Sequence, residues 1–230
     1  MRQSKRQRVP APAEAARLVA HLRQRNEEER LRLSRMLHHD VSGMLAAARM
    51  DLSRLAARVA PDGNVPEELR RVDRLLEQVI GDARAAMQRL HPALIEHFGL
   101  AAALRHLVED RCRGPGRRYK VTFLDEATGL EPLLAIAAFR TVETLLAGEA
   151  TREVTATLAS RRDGYLLELT LAPVPANPDP AQADDLWALR IWLESLGAAW
   201  KESSHEGTRR IELRLPRRAA AVPGEAPGQG

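Results

Sequence analysis

The stretch Arg35-Met36-Leu37-His38-His39-Asp40-Val41-Ser42-Gly43-Met44-Leu45 lies in the middle of a long run without proline. From about Ala13 to Ala60 there is no Pro and only one Gly, Gly43. This predicts one long helix, or two joined near Asn26. Pro61-Asp62-Gly63-Asn64 is a turn. Pro66, followed by Glu67 and Glu68, starts a second helix, because proline is tolerated in a first turn and acids suit the positive end of the helix dipole. That helix reaches Leu90. His91-Pro92 interrupts it, since the residue before a proline is pushed out of the α region. The apolar positions follow a 3/4 spacing: Leu37, Val41, Met44, Ala48, Leu52, Leu55 and Val59, then Leu69, Val72, Leu76, Val79, Ala83, Met87 and Leu90. Two such helices joined by a short turn make an antiparallel hairpin with a heptad seam. One hairpin has too little core of its own. Two of them make a four-helix bundle, so a homodimer is expected.

After Gly99 the texture changes. Leu100 to Arg111 reads as a short helix, Tyr119 to Leu124 as a strand, and Glu131 to Leu146 as a helix. Val154 to Ala159 and Tyr165 to Leu171 flank Asp163-Gly164 and form a β-hairpin. Ala172 to Pro180 carries four prolines and is a loop. Asp184 to Leu196 is helical. Trp200 to Ser203 and Arg209 to Leu215 form a second hairpin. The fold class is therefore α+β: a helical hairpin followed by a small α/β sandwich. The expected organisation is a basic, Pro/Ala-rich disordered tail over 1–12, the hairpin over 13–98, the α/β domain over 99–216 and a disordered Pro/Gly/Ala-rich tail over 217–230.

Composition narrows the function classes. The 230 residues carry 35 Lys and Arg against 31 Asp and Glu, a net charge of only +4. All but Lys5, Lys120 and Lys201 of those basic residues are Arg. They are interleaved with acid everywhere except Arg2, Lys5, Arg6 and Arg8, which is not the concentrated footprint of a nucleic-acid binder. A single cysteine, Cys112, excludes a disulfide framework and a cysteine-rich zinc site. No apolar run reaches the ~18 residues of a membrane span. The basic N-terminus lacks the apolar core of a signal peptide, so the expected compartment is the cytoplasm. Aromatics are 3% of the chain, so the core is built from Leu, Val, Ile and Ala.

On an α-helix each residue turns ~100°, which places His38 about 90° and His39 about 170° from the centre of the seam. His38 thus flanks the packed face, held on one side and open on the other, as a phosphoryl-accepting imidazole requires. His39 points into solvent. Two ordinary surface histidines on a charged helix satisfy the same pattern.

The wider string decides between them. Glu29-Arg30-Leu31-Arg32-Leu33-Ser34-Arg35-Met36-Leu37-His38, with Gly43-Met44-Leu45 and Met50-Asp51-Leu52, resembles the dimerisation and phosphoacceptor helix of sensor histidine kinases of the nitrate and hexose-phosphate sensor subfamily. That pattern runs E-R-x-R-I-A-R-E-L-H-D-x-x-G-x-L-L, and His38 takes the phosphoacceptor place. Arg89-Leu90-His91-Pro92-Ala93-Leu94-Ile95-Glu96-His97-Phe98-Gly99-Leu100-Ala101-Ala102-Ala103-Leu104 is similar to the family's L-R-P-x-x-L-x-x-x-G-L-x-x-A-L stretch. The resemblance spans about residues 28–216. It implies that the second domain has the shape of a histidine-kinase ATPase domain.

Departures from the family bear on mechanism. The acid that follows the phosphoacceptor, thought to be the base in autophosphorylation, is replaced by His39. Asp40 lies one residue later. A positioned base needs hydrogen-bond reach, and a neutral imidazole accepts a proton at pH 7, so His39 is the weak substitute. The family's Q-E-A-L-T-N-x-x-K-H-A helix, whose Asn helps hold Mg²⁺, corresponds to Arg140 through Ala150, with Gly148 near the Asn place. Its adenine-binding D-x-G-x-G corresponds to Ala172-Pro173-Val174-Pro175, with neither acid nor glycine. Its phosphate-cradling G-x-G loop corresponds to Ala181-Gln182-Ala183-Asp184-Asp185-Leu186-Trp187, also without glycine. The resemblance together with these losses implies a two-component phosphotransfer protein or pseudokinase. His38 would be its phosphoacceptor, with His39 and Asp40 beside it and Arg35 and Ser42 in contact with a response-regulator receiver domain. No cofactor of its own is expected, Mg²⁺ being supplied by the receiver. Two other functions remain open: an active ATP-dependent kinase with divergent loops, and a non-catalytic dimer that sequesters a response regulator.

Other candidates are weaker. His91, His97 and His106 straddle a Pro break and lack a completing carboxylate, so no metal site is expected. Trp187, Trp192 and Trp200 read as core or interface. Cys112, between Arg111 and Arg113, reads as an inert thiol. The arginines of the first helix, Arg23 to Arg35, read as a solvated face paired with Glu27 to Glu29.

Overall fold

The computed structural model describes residues 12–60, 64–90, 92–113, 116–147, 151–174 and 179–219. Helix α1 (Pro12–Met36) passes through a π-helical segment (Leu37–Val41) into α2 (Ser42–Val59), and α3 (Glu67–Leu90) follows. Then come α4 (Ala93–Arg111), β1 (Arg118–Phe123), α5 (Pro132–Leu146), β2 (Glu153–Arg161), β3 (Gly164–Ala172), α6 (Pro180–Ser195), β4 (Ala199–His205) and β5 (Thr208–Pro216). There are two compact units. One is Asn26–Ala93. The other combines the chain up to Arg25 with that from Leu94 onward. The first part of α1 therefore belongs with the sheet, which narrows the hairpin relative to the 13–98 span read from sequence. Most of the expected tail regions, 1–11 and 220–230, lie outside the described residues. Residues 217–219 are tied down: the Glu131 N–H donates to the Arg217 carbonyl at 3.3 Å, and the Glu131 carboxylate accepts from the Ala219 N–H.

In the hairpin unit, α3 packs against the π segment and α2. Ser34 contacts Met87, and Arg49 contacts Asp73 and Glu77. Earlier residues of one helix meet later residues of the other, so the two run antiparallel. The helix is not broken at Asn26; its irregularity falls on the histidines instead. The seam also needs correction. The less exposed positions are Ser34, Leu37, Val41, Leu45, Arg49, Leu52, Ala56 and Ala60, facing Leu69, Asp73, Leu76, Ile80, Ala83, Met87 and Leu90. Met44, Leu55, Val59, Val72 and Val79 are exposed, Met44 to 65%. The heptad pattern merged two stripes: one closing the hairpin, and a second, apolar one left on its surface.

The sheet unit is a two-layer α/β sandwich. Strand order is β1-β2-β3-β5-β4, with β1 parallel to β2 and every other pairing antiparallel. Alternation puts Val154, Ala156 and Leu158, Leu167, Leu169 and Leu171, and Ile211, Leu213 and Leu215 on one buried face. Leu100, Leu104 and Val108 of α4, Leu134 and Val142 of α5, and Leu189, Trp192 and Leu193 of α6 join the same core. The opposite face is polar. Glu168 there accepts hydrogen bonds from Thr157 at 3.3 Å and Arg210 at 2.6 Å.

One helix start differs from the sequence reading. Helix α6 begins at Pro180 rather than Asp184, because the Asp179 carboxylate accepts the Ala181 N–H at 3.0 Å and proline fits the first turn. Helix α4 is interrupted at Gly99, whose φ is 81° and ψ is 175°, so the helix read from Leu100 to Arg111 is its second part and a further turn precedes it from Ala93. A Cβ at Gly99 would lie 2.3 Å from the Glu126 carbonyl oxygen. We expect Gly99→Ala to lose about 2–3 kcal/mol from left-handed strain and the displaced loop. Urea denaturation checks this.

Candidate functional site

The π segment closes when the Ser42 N–H donates to the Leu37 carbonyl. Its flanking residues are ordinary α-helix: Met36 at φ −61°, ψ −48° and Ser42 at φ −65°, ψ −37°. Wide turns of this kind inside α-helices occur frequently at functional sites. Leu37 and Val41 are half-buried and anchor the turn, while His38, His39 and Asp40 are all exposed. The sequence geometry had set the two histidines apart, one flanking and one outward. In the structure solvent reaches both. Among the described residues, no hydrogen bond or ion pair holds the side chain of His38, His39 or Asp40. Arg35 is exposed one turn before His38, and Ser42 is half-buried one turn after it. Neither the residue types nor their spacing announced the π turn.

Below the histidines the helices are cross-linked by charge. The Ser34 hydroxyl donates to the Met87 carbonyl at 3.4 Å. Arg49 donates to Asp73 at 3.2 Å and to Glu77. The Glu77 contact, first as hydrogen bond and then as charge, raises the Arg49 pKa above its ordinary value. Beside this ion pair runs a groove of about 670 Å³, lined by Ala46, Met50, Ser53, Ile80, Gly81 and Arg84 among others. It lies about 16 Å along α2 from His38.

The segments corresponding to nucleotide loops are at the other end of the chain. Gly148 and Pro175 lie outside the described residues. Beyond β3 come Pro173 and Val174. Helix α6 packs directly on α5, and Gln182 Nε2 donates to the Thr144 carbonyl at 2.7 Å. Two of the carboxylates here are used structurally: Asp179 caps α6, and Asp185 pairs with Arg23 at 2.5 Å.

The remaining candidates can be placed. Cys112 is buried, and burial pushes its thiol pKa up despite the opposing charge of Arg117, the state of an unreactive thiol. Trp192 is core, Trp200 is half-buried and Trp187 is exposed. His97 and His106 are exposed, and His91 lies outside the described residues. Among the described residues no three His, Cys, Asp or Glu side chains are grouped as metal ligands, and no helix is long and apolar enough to cross a membrane.

Residues 29–94 match the family model described as histidine kinase, HisKA_3. This match covers the π segment, both hairpin helices and the Pro92 break. No curated protein matches the sequence. Among solved structures, the chain is similar to the blue-light activated histidine kinase of Erythrobacter litoralis EL346. Identity is 14% and the TM-score 0.44, with 77% of this chain and 60% of that one covered. Its isolated histidine kinase domain gives 14% identity and a TM-score of 0.42, with 83% and 93% covered. The nucleotide-free catalytic domain of histidine kinase ThkA gives 14% and 0.40, with 53% and 93% covered.

Proposed function

We propose that this histidine-kinase-like two-component protein exchanges phosphoryl groups with a response-regulator receiver domain through His38, without an ATP-dependent step of its own. The observation that carries the proposal is His38 itself: solvent-exposed, unbonded, and in the phosphoacceptor place of a segment that matches histidine kinases. In the exchange a neutral ring nitrogen of His38 attacks the phosphorus of the receiver's aspartyl phosphate. The N–P bond forms as the O–P bond breaks, and the electron pair returns to the receiver carboxylate. His39, next in the chain, accepts the ring proton that becomes acidic once the imidazole carries phosphoryl. Arg35 and Ser42, a turn to either side, contact the receiver, and the groove past Met50 and Gly81 seats it. Mg²⁺ comes with the receiver. Such a step asks the protein mainly for position and electrostatics.

Loss of ATP use is supported by the missing acid and glycines after β3, and by an α6 that Asp179 caps and whose Asp185 is engaged in an ion pair. Incubation with a receiver charged from labelled acetyl phosphate is expected to label the chain, and His38→Ala to abolish that label. Unchanged transfer in His38→Ala overturns the proposal. Labelled ATP with Mg²⁺ is expected to leave His38 unlabelled; label there identifies an active kinase instead. Receiver capture that survives His38→Ala with no transfer in wild type identifies a sequestering binder.

The exposed stripe of Leu55, Val59, Val72, Leu75 and Val79 supports a homodimer in which two hairpins form a four-helix bundle. Val72→Glu with Val79→Glu is expected to halve the mass measured by light scattering. Gly81 has open space where a Cβ would stand. We expect Gly81→Leu to raise hairpin stability by about 0.5–1 kcal/mol through helix propensity, while slowing transfer from the receiver by filling the groove. Thermal melting and a transfer time course check the two effects.

A further inference from the structure

At the end of the sheet where β2 turns into β3, a concavity of about 510 Å³ opens beside the turn. The residues that line it include three arginines, Arg161 at the end of β2, Arg162 in the turn and Arg214 from β5. The cavity contains one acid, Asp163. Leu166 and Ala199, the cross-strand neighbours of Arg214, form an apolar floor. The volume falls within the range of about 300–1,000 Å³ typical of small-molecule sites.

Among the described residues, these three arginines lack carboxylate partners. Elsewhere in this unit Arg118 pairs with Glu153, Arg190 with Glu194, Arg209 with Glu202, and Arg210 with Glu168. Among the described residues, Arg161, Arg162 and Arg214 pair with no carboxylate. Arg161 donates only to the carbonyl of its neighbour Ser160, at 3.1 Å. Arg217 stands close by, stacked 5.4 Å over the Tyr165 ring. Like charges gathered around one hollow repel each other, and a multivalent anion relieves that repulsion. A guanidinium fork binds phosphate oxygens two at a time, which a single charge on Lys cannot do. The hollow is also at the opposite end of β3 from Ala172-Pro173-Val174. Over nine residues of strand the separation is about 26 Å.

We propose that this arginine-walled hollow binds a phosphate-bearing small molecule, at a site separate from both His38 and the segments that correspond to nucleotide loops. The apolar floor takes the organic part of the ligand, and Arg161, Arg162 and Arg214 take its phosphates. The assignment does not depend on phosphotransfer through His38.

Calorimetric titration of the full chain with inorganic pyrophosphate, without Mg²⁺, tests it. The expected result is saturable binding at one site per chain that weakens as salt rises. Arg162→Ala with Arg214→Ala should cost at least ~10-fold in affinity, a change well within calorimetric range. Arg118→Ala, which removes a paired arginine on β1, should leave affinity unchanged. Circular dichroism checks that the double variant is folded; the single exposed-turn variant Arg162→Glu supplies the same test if it is not. Failure to saturate overturns the proposal, as does unchanged affinity in the variants. An acidic peptide that saturates the hollow when pyrophosphate does not also overturns it, and makes the surface a protein contact.

Discussion

A pair of helices can bury only the stripe along which they touch, and in the hairpin unit that stripe is thin. Among the described residues of 26–93, only Glu27, Ala60, Met87 and Pro92 are buried. Half-buried Leu37, Val41, Leu45, Leu52, Leu76 and Ile80 do most of the packing, helped by Arg49 between Asp73 and Glu77. Exposed ion pairs of this sort contribute little. Hydrophobic burial is the dominant favourable term in folding, so a unit with so little of it needs a further surface. The second apolar stripe supplies one, which is the physical ground for proposing a paired hairpin. An exposed histidine at the rim of such a bundle is held in place yet open to a partner.

The sheet unit obeys the opposite rule. Its core is continuous, and its fully buried side chains are mainly Leu, with Trp192 and Ile211. One face of the sheet is closed by helices and the other is polar. The ends of α5 and α6 are bonded to each other through Gln182 and Thr144. At the far end of β3, Arg161, Arg162 and Arg214 gather with no carboxylate partner among the described residues.

The residues of the candidate site could be picked out because they are local. His38, His39 and Asp40 are neighbours in the chain, and any helical structure keeps them together at a surface rich in Arg and Glu. The π turn was not legible. Helix propensity and apolar spacing say where a helix runs, but a five-residue turn differs from a four-residue one only in which carbonyl meets which N–H. The misread seam has the same root. Val72 and Leu76 satisfy a heptad as well as Leu69 and Leu76 do, and only contact with α2 shows that Asp73 and Ile80 face inward instead. The arginine hollow was invisible for a different reason: Arg214 is distant in sequence from the neighbours Arg161 and Arg162 and meets them only through strand pairing.

The order of helices and strands, both β-hairpins and the histidine pair followed from the sequence alone, because proline placement, alternation and 3/4 spacing act over a few residues. Tertiary structure alone decided which apolar stripe closes the hairpin and that the first part of α1 belongs with the sheet. It also bent α4 at Gly99 against the Glu126 carbonyl. Those outcomes depend on which distant surfaces meet, and pairing between distant residues is set by the packing of the whole chain rather than by any short window of it.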